Sequence, residues 1–556
     1  MISTWRVAQR LTTATIVLLF TFTILPDTVQ ASEIRVIASA GDMAPGTLRT
    51  FTSLNAPVLN ASGEVAFYGD TSNAIGSDGI WKYNSDSSLS PVAVVGGTAP
   101  GMGTGATFEA FLNSGNGGNN RTSTLTLTDS GWTAFAAETS DGRGFWARRP
   151  NGVMDLIVKN GDSAIGTPHL FARVADRIPA INESGDVVFR SSTDAGGIRN
   201  GAAHHYSAST QSLSYIAAAN TPIVGDPQGQ SFDQPAFSGP VIDAEGNAYF
   251  NTSLEPSSLA ASGIGTWSPG GTARIVHRSG DPTPGISQGN LDTLFQFEPA
   301  ANSAGEVAFT WSFTEASSTT IQTGIWSGDP INPDLVARTG GEAPGMPDGV
   351  EFSQLTSPEI NAQGRVAFRA RVTGPGINFG NDEGLWLQDE FGNLKLVAQE
   401  GDLPPGAPAG VVFENDFGNS FAFNDIALND VGQIAFRGSY SGLEVPTNLN
   451  ETGVWATDRD GELQLIAMAG VSFETDRGTR NHGALRFAGG SGGDEGFGVG
   501  INNQGQVAFS GNFFSTTSVY LSYRVVPEPS GNLLMIGLMP AVVFSYLRKK
   551  RRSWAC

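Results

Sequence analysis

The chain has 556 residues, a formal net charge of −21 at pH 7 and a single cysteine, Cys556. An acidic surface repels the phosphate backbone, so we exclude nucleic acid as a partner. One cysteine also excludes a disulfide framework, and it leaves no cysteine-based metal site or nucleophile elsewhere in the chain.

Residues 1–31 have the features of a secretory signal peptide. Arg6 and Arg10 precede an apolar stretch from Ala14 to Leu25, and small residues lead to a predicted cleavage site after Ala31. The stretch is shorter than the ~20 apolar residues that a transmembrane helix needs, which disfavours an uncleaved membrane anchor. We therefore predict that the folded domain covers residues 32–525.

An eight-residue phrase recurs eight times within this domain. Its clearest copy, Asn60–Phe67, has the sequence Asn-Ala-Ser-Gly-Glu-Val-Ala-Phe, and the second copy is the shorter Asp129–Phe135. Asn and Gly favour a tight turn, and the Val-Ala-Phe that follows favours a buried strand. The glycines lie 54 to 73 residues apart, a spacing typical of a repeat architecture. They are Gly63, Gly131, Gly185, Gly246, Gly305, Gly364, Gly432 and Gly505.

Each repeat contains three further segments. A Gly-apolar-Trp strand such as Gly79–Trp81 is followed by a short strand such as Leu396–Ala398. A Gly-Asp-x-x-Pro-Gly loop such as Gly41–Gly46 comes next, and an apolar segment then returns to the Asn turn. Four short strands per repeat are the content of one propeller blade.

The phase of the repeat bears on closure. The domain begins with Ile34–Ile37, the last strand of a repeat, whereas its final repeat lacks that strand. The amino-terminal strand can complete the final blade and remove an exposed sheet edge. We predict an all-β fold, a β-propeller of eight four-stranded blades closed by the N-terminal strand. An open β-solenoid of the same repeats is the alternative.

Catalytic motifs are not readable in this sequence. Gly489–Gly493 matches Gly-x-Ser-x-Gly, but that motif requires a strand before it and a helix after it. The stretch from Gly470 to Gly500 is the most irregular connection, and it mixes both charge signs with a histidine. Since loops carry function on repeated scaffolds, it is a candidate ligand loop, and a surface loop without function is the alternative. Its candidate residues are Glu474, Asp476, Arg477, Arg480, His482, Arg486, Asp494 and Glu495.

Residues 526–556 form a distinct carboxy-terminal segment. Pro527, Glu528 and Pro529 precede an apolar run, 533–547, long enough to enter a membrane. A basic cluster follows, which holds such a run with its positive end in the cytoplasm: Arg548, Lys549, Lys550, Arg551 and Arg552.

This segment resembles the PEP-CTERM sorting signal of Gram-negative bacteria. The resemblance implies that a membrane-bound exosortase recognises Pro527–Pro529, removes the tail and passes the protein outward. The tandem Asn-x-x-Gly-x-x-Ala-Phe repeats resemble those of choice-of-anchor proteins, a class that implies no defined activity.

Charge and motifs together indicate a function. Without residues 1–31 and 530–556, the chain keeps 25 basic and 52 acidic residues, a net charge of −27. Such a surface makes Ca²⁺ a candidate ligand. We predict an exported, exosortase-processed, non-catalytic protein of the cell surface or the extracellular polysaccharide matrix of a biofilm, with polysaccharide or surface proteins as partners. The alternative is a secreted propeller enzyme that cleaves polysaccharide by hydrolysis or lyase chemistry.

Overall fold

The computed structural model describes residues 34–71, 78–112, 125–177, 179–194, 201–236, 239–256, 262–292, 299–316, 318–414, 421–442, 451–491, 499–513, 516–523 and 525. These residues contain forty β-strands and no helix, so no helix in this part of the chain could cross a membrane. The predicted signal peptide with Ala31, Asp494 and Glu495, and the whole of the predicted sorting segment 526–556 lie outside the described residues.

The strands form eight sheets in a ring, one per repeat, which confirms the predicted eight-bladed propeller. In chain order, blades one to seven cover residues 53–94, 108–159, 171–218, 221–278, 289–338, 351–399 and 412–468. Blade eight combines residues 484–522 with residues 34–39.

The innermost strands line the ring axis, and most are broken into two short pieces. They are β2 (Ser53–Leu54) and β3 (Val58–Leu59), β7 (Phe108–Phe111) and β8 (Thr126–Leu127), β12 (Phe171–Arg173) and β13 (Ala180–Ile181), β17 (Thr221–Pro222) with β18 (Ser231–Phe232) and β19 (Val241–Ile242), β23 (Gly289–Leu291) and β24 (Ala300–Ala301), β28 (Glu351–Ile360), β32 (Val412–Phe413) and β33 (Phe423–Leu428), and β37 (Ala484–Phe487). A short parallel strand, β38 (Gly490–Ser491), joins blade eight to β33 of blade seven.

The second strand of each blade begins with the last three residues of the repeated phrase, which are Val-Ala-Phe in blades one, five, six and eight. These strands are β4 (Val65–Asp70), β9 (Thr133–Thr139), β14 (Val187–Thr193), β20 (Ala248–Glu255), β25 (Val307–Glu315), β29 (Val366–Thr373), β34 (Ile434–Ser441) and β39 (Val507–Phe513).

Five of the third strands carry the Gly-apolar-Trp motif, and the fourth strands form the outer edge. The third strands are β5 (Gly79–Tyr83), β10 (Gly142–Arg148), β15 (Gly201–Ser207), β21 (Ser262–Trp267), β26 (Gln322–Gly328), β30 (Glu383–Gln388), β35 (Thr452–Thr457) and β40 (Thr516–Ser522). The outer strands are β6 (Leu89–Val94), β11 (Met154–Lys159), β16 (Ser212–Ala218), β22 (Arg274–Arg278), β27 (Asp334–Arg338), β31 (Leu394–Gln399), β36 (Leu463–Met468) and, in blade eight, β1 (Ile34–Ser39).

The ring closes where the sequence predicts it. Strand β1 pairs antiparallel with β40, with Ile34 opposite Ser522, and supplies the outer strand of blade eight. Nearer the axis, the backbone N–H of Leu59 in blade one donates to the carbonyl of Val499 at 2.8 Å. These contacts exclude the open β-solenoid, because its first and last repeats would not meet.

The Asn turns join neighbouring blades as well as strands. In the first copy, Asn60 Oδ1 accepts from the N–H of Glu64 within the turn, and Asn60 Nδ2 donates to the carbonyl of Thr128 in blade two. All six asparagines at this position make the second bond, at 2.8–3.1 Å, and Asn502 of blade eight donates back to Asn60. One side chain therefore closes a turn and links two blades.

The second turn differs from its prediction. Thr128 N–H donates to the carbonyl of Trp132, and Gly131 N–H donates to the carbonyl of Thr128. The turn therefore begins at Thr128 and has the full length of the other copies. The threonine side chain has no amide group, unlike the asparagine of the other copies, so the sequence pattern did not mark Thr128 as the first residue of this turn.

The Gly-apolar-Trp motif also has a packing reason. In blade six, a Cβ on Gly384 would lie 2.5 Å from the ring of Trp386, so the indole fits only above a glycine. Trp386 Nε1 donates to the carbonyl of Pro344 in the preceding Gly-x-x-x-Pro-Gly loop at 2.9 Å. Four other blades repeat this bond, in Trp81, Trp146, Trp326 and Trp455.

Candidate functional site

The propeller has two distinct faces. The turn face carries the Asn-x-x-Gly turns and the turns between third and outer strands. The loop face carries the connections between second and third strands, and those from each outer strand to the next inner strand. Thirteen large apolar side chains are prominently exposed among the described residues, and nine of them lie on the loop face. These nine are Met43, Leu48, Val95, Ile165, Leu170, Val224, Ile321, Phe379 and Leu403.

Blade six departs from the repeat on this face. Glu383 occupies the position before the Gly-apolar-Trp glycine, where blades five and seven have Thr323 and Thr452. Glu400 precedes the glycine of the next loop, where blade seven has Ala469. We name the charged cluster by its five members: Arg369, Arg371, Asp382, Glu383 and Glu400.

Three of its members are carboxylates close to one another. Asp382, Glu383 and Glu400 each offer an oxygen, and these oxygens all lie within 4.8 Å of one another. Glu383 Oε1 accepts from Arg371 Nη2 at 2.7 Å, and Glu383 Oε2 accepts from the N–H of Ala422 in blade seven. Glu383 and Glu400 are buried, whereas Asp382 is partly exposed.

The two arginines join blade six to blade seven. Their guanidinium groups lie 4.3 Å (Arg369) and 5.2 Å (Arg371) from the ring centre of Phe421, in cation–π contact. Arg369 Nη1 also donates to the carbonyl of Phe423 and to Asn424 Oδ1, both at 3.0 Å. The cluster is thus part of the interface between these blades.

Burial dominates the ionisation of the cluster. It raises the pKa of the Glu383 carboxyl, against the opposite effects of the Ala422 N–H and the Arg371 guanidinium. Burial also lowers the pKa of the Arg369 guanidinium to about 10. Burying these charged groups costs free energy, and the arginine–carboxylate contacts partly offset that cost.

This geometry limits the chemistry of the cluster. Adjacent carboxyls with a raised pKa are typical of acid–base catalysis. Both oxygens of Glu383, however, already accept hydrogen bonds, and the residue is 0% exposed. The three carboxylate oxygens suit a hard cation such as Ca²⁺, although Arg371 already supplies a positive charge to Glu383.

A cavity of about 680 Å³ opens on the other side of the same blade, between blades five and six. This volume is within the range of small-molecule sites, ~300–1,000 Å³. The lining mixes apolar side chains, among them Ile321 and Leu355, with hydroxyl and amide groups, among them Ser353, Gln354 and Thr373. Gln354 pairs with Arg371 across β28 and β29, so the blade connects the cavity to the charged cluster.

An ion pair borders this cavity. Arg338, which lines it, donates to Glu315 at 2.7 Å, and both side chains are about one-third exposed. Within the described part of the chain, the buried atoms Gln322 Oε1 and Thr323 Oγ1 have no hydrogen-bond partner. The wall of the cavity thus offers acceptors, donors and apolar surface together.

The predicted ligand loop lies instead at the seam where the ring closes. Asp476 accepts from the N–H of Val36 at 2.8 Å, and its own N–H donates to the carbonyl of Ile34 at 3.1 Å. Arg477 forms an ion pair with Asp42 at 2.7 Å. These side chains fix strand β1 to blade eight.

The other described members of that loop also have local partners. The pairs are Glu474 with the Thr479 hydroxyl, Arg480 N–H with the Phe473 carbonyl, His482 with the Tyr520 hydroxyl, and Arg486 with Asn55. Burial lowers the pKa of the His482 imidazole to about 4. Each of the six described residues thus has a partner within the fold, and a ligand role for the loop stays a prediction.

Sequence reasoning missed the charged cluster because its members lie inside regular repeats. A position-by-position comparison of the copies would have found Glu400, since no other copy has a charged residue before this loop glycine, but not Glu383, where blades one and two have Asp78 and Arg143. Arg371 and Phe421 could not be assigned this way, because their contact joins two blades.

Known proteins place this fold in context. An oligogalacturonate lyase from Vibrio parahaemolyticus is 10% identical with a TM-score of 0.39, over 87% of this chain and 99% of that chain. The β-propeller domain of the Trilobed protease from Pyrococcus furiosus is 12% identical with a TM-score of 0.37, over 75% of this chain and 98% of that chain. Likenesses this weak support no assignment of substrate or activity.

The search of curated proteins gives no match. A family model, described as a family of unknown function (DUF7453), matches residues 23–403 and 115–533. The two matches together span most of the chain, which therefore belongs to this family.

Proposed function

We propose that the protein is an exported, exosortase-processed propeller of the cell surface or the extracellular matrix, and that it binds an extracellular polymer on its loop face without cleaving it. A polysaccharide is the favoured polymer, and a surface protein is the second choice. Export and processing rest on the sequence of residues 1–31 and 526–556.

The asymmetry of the two faces carries the binding proposal. Among the described residues, the loop face holds nine of the thirteen exposed large apolar side chains, together with the 680 Å³ cavity. Saturated sugar rings present both hydroxyl groups and apolar C–H faces. The cavity offers matching groups, with the hydroxyls of Ser353 and Thr373 beside the apolar Ile321 and Leu355.

The charged cluster supports binding over catalysis. A glycosidase needs two carboxyls that can reach the bond they cleave, ~5–10 Å apart. Glu383 and Glu400 are close enough, but both are buried, and both oxygens of Glu383 are engaged. The raised pKa of Glu383 is the one observation that favours the enzyme alternative.

Filling the cavity with a large side chain tests whether it is the binding site. We would measure binding of residues 32–525 to the polysaccharide of the native host, and compare Ser353→Trp with Ala172→Trp. Both positions are exposed and follow the buried phenylalanine of an inner strand, but only Ser353 lines the cavity. We expect at least a tenfold loss for Ser353→Trp alone. Unchanged binding by Ser353→Trp would remove the cavity from the proposal.

A second experiment tests export. Replacing Pro527, Glu528 and Pro529 with alanine should leave a full-length chain in the membrane fraction of the host, whereas the wild type should appear shortened at the surface or in the medium. Equal processing of both chains would contradict recognition by an exosortase.

A further inference from the structure

We infer that, while the chain is held in a membrane, the propeller stands with its turn face toward the bilayer and its loop face outward. This inference rests on the proposed export and sorting, and it adds which surface of the molecule meets an outside partner. It follows from where the two ends of the propeller leave the ring.

Both ends leave by the turn face. Strand β39 starts at Val507, directly after the turn that contains Gly505, and Val507 lies opposite Ser522 at the end of β40. Ile34, the first described residue, lies opposite the same Ser522. The first and last strands of the ring therefore end beside an Asn turn.

The chain remains at this face beyond β40. The carbonyl of Val525 accepts from Gln433 Nε2 at 3.3 Å, and Val525 is buried. Gln433 belongs to the Asn429 turn of blade seven, where it also bonds to Asn429 Oδ1. The attachment point of the tail is thus fixed against the turn face.

The segment between the propeller and the apolar run of the tail is short. Seven residues lie between Val525 and Leu533, and with the predicted cleavage after Ala31 this segment is the tether that holds the propeller. Extended chains of that length span at most ~30 Å. Strand β39 alone has seven residues, about 24 Å, and connections extend the blade at both ends. Turning the loop face to the bilayer would use the full reach of this segment, whereas the opposite orientation needs little of it.

This orientation has a consequence for release. The turns on the face toward the bilayer carry the acidic residues Asp129, Glu183 and Asp430. Carboxylates gain nothing from anionic lipid headgroups, so the tail alone holds the propeller at the membrane. Removal of the tail should free it.

Two exposed phenylalanines of blade six provide a matched pair of probe sites. Phe379 lies on the loop face and is 89% exposed, whereas Phe391 lies on the turn face and is 80% exposed. In a Cys556→Ser background, Phe379→Cys or Phe391→Cys would carry a fluorophore. The chain with its tail, carrying the Pro527–Pro529 alanine changes, would be placed in phosphatidylethanolamine–phosphatidylglycerol vesicles that contain a spin-labelled quenching lipid.

We expect strong quenching of the label at position 391, and at most a third of that quenching at position 379. Equal quenching, or stronger quenching at position 379, would overturn the orientation while leaving the proposed sorting intact. A chain that does not associate with the vesicles would instead overturn the sorting proposal, and this inference with it. Gel filtration of the tail-free variants shows that both labelled propellers remain folded.

Discussion

Asn361→Asp tests the link between blades at a single atom. Asn361 is fully buried, its Oδ1 accepts from Gln363 and Arg365 within the turn, and its Nδ2 donates to the carbonyl of Asn429 at 3.0 Å. Aspartate keeps the acceptor of the turn but replaces the donor with a second oxygen. The change therefore removes the bond between blades six and seven and, above the pKa of the new carboxyl, adds a buried negative charge.

The expected magnitude follows from that lost bond. A buried hydrogen bond broken with both partners left unsatisfied costs about 1–3 kcal/mol. Unfolding entropy is about 2.1 cal/mol/K per residue, so residues 34–523 give roughly 1 kcal/mol per degree. We therefore expect a loss of about 2 kcal/mol in the free energy of unfolding, or a fall of about 2 °C in Tm.

This loss in the free energy of unfolding should depend on pH. A buried carboxyl that faces a carbonyl has a folded-state pKa above its unfolded value of ~3.9. Below that pH it is protonated in both states and can donate to the Asn429 carbonyl, so the loss should nearly vanish. The loss should then grow as the pH rises through the folded-state pKa.

Urea unfolding from pH 3.5 to 7.5, followed by tryptophan fluorescence, measures the effect. Asn84→Asp is the matched control, because Asn84 begins a turn between third and outer strands, where other blades have Asp389 and Asp458. The control should stay within ~0.5 kcal/mol of wild type. If Asn361→Asp behaves like this control at pH 7, the link between blades contributes nothing and the reasoning is refuted.

Three further changes probe packing and ionisation. Gly384→Ala should cost about 1–3 kcal/mol in urea unfolding because its Cβ would overlap the indole of its own motif, whereas Gly380→Ala, which has space, should be near neutral. Equal effects of the two would contradict the packing argument. Glu383→Gln should destabilise the protein by about 1–3 kcal/mol at pH 7, because its amide oxygen can accept from only one of two donors, Arg371 Nη2 and the Ala422 N–H, and an increase in stability would refute these bonds. Because burial raises the Glu383 pKa, the contribution of this carboxyl to the free energy of unfolding falls as the pH rises from about 4.5. Glu383→Gln should lack this dependence on pH. Burial lowers the pKa of His204 to about 4. The free energy of unfolding should therefore fall by about 3 kcal/mol as the pH falls from 6.5 to 4, because protons then bind this imidazole more strongly in the unfolded chain. His204→Gln should abolish that fall.

The repeat made the fold predictable from the sequence. The residues of the Asn turn and of the Gly-apolar-Trp strand predict their local structure directly. The phase of the repeat at Ile34–Ile37 predicts closure of the ring, which the pairing of Ile34 with Ser522 confirms. The Nδ2 bond of each Asn to the next blade was not predictable, because it joins residues far apart in the sequence, 61 positions for Asn182 and Asp243 and 442 for Asn502 and Asn60.

The candidate site was less predictable for a related reason. The density of charged residues predicts a ligand site in the irregular loop after Gly470, but side chains such as Asp476 and Arg477 pair with the amino-terminal segment. Glu383 and Arg371 lie in regular strands, where a single copy of the repeat gives no signal. Arg371 and Glu383 are cross-strand partners within blade six, and Phe421 of blade seven packs on the two arginines of the cluster.

One measurement tests the central proposal most directly. Purified residues 32–525 would be incubated with a broad glycan array and with host polysaccharide, with Ca²⁺ or with chelator, and each bound glycan would then be examined for cleavage. We predict binding that leaves the glycans intact and that Ser353→Trp weakens. New reducing ends or unsaturated products would contradict the proposal and show that the propeller is an enzyme.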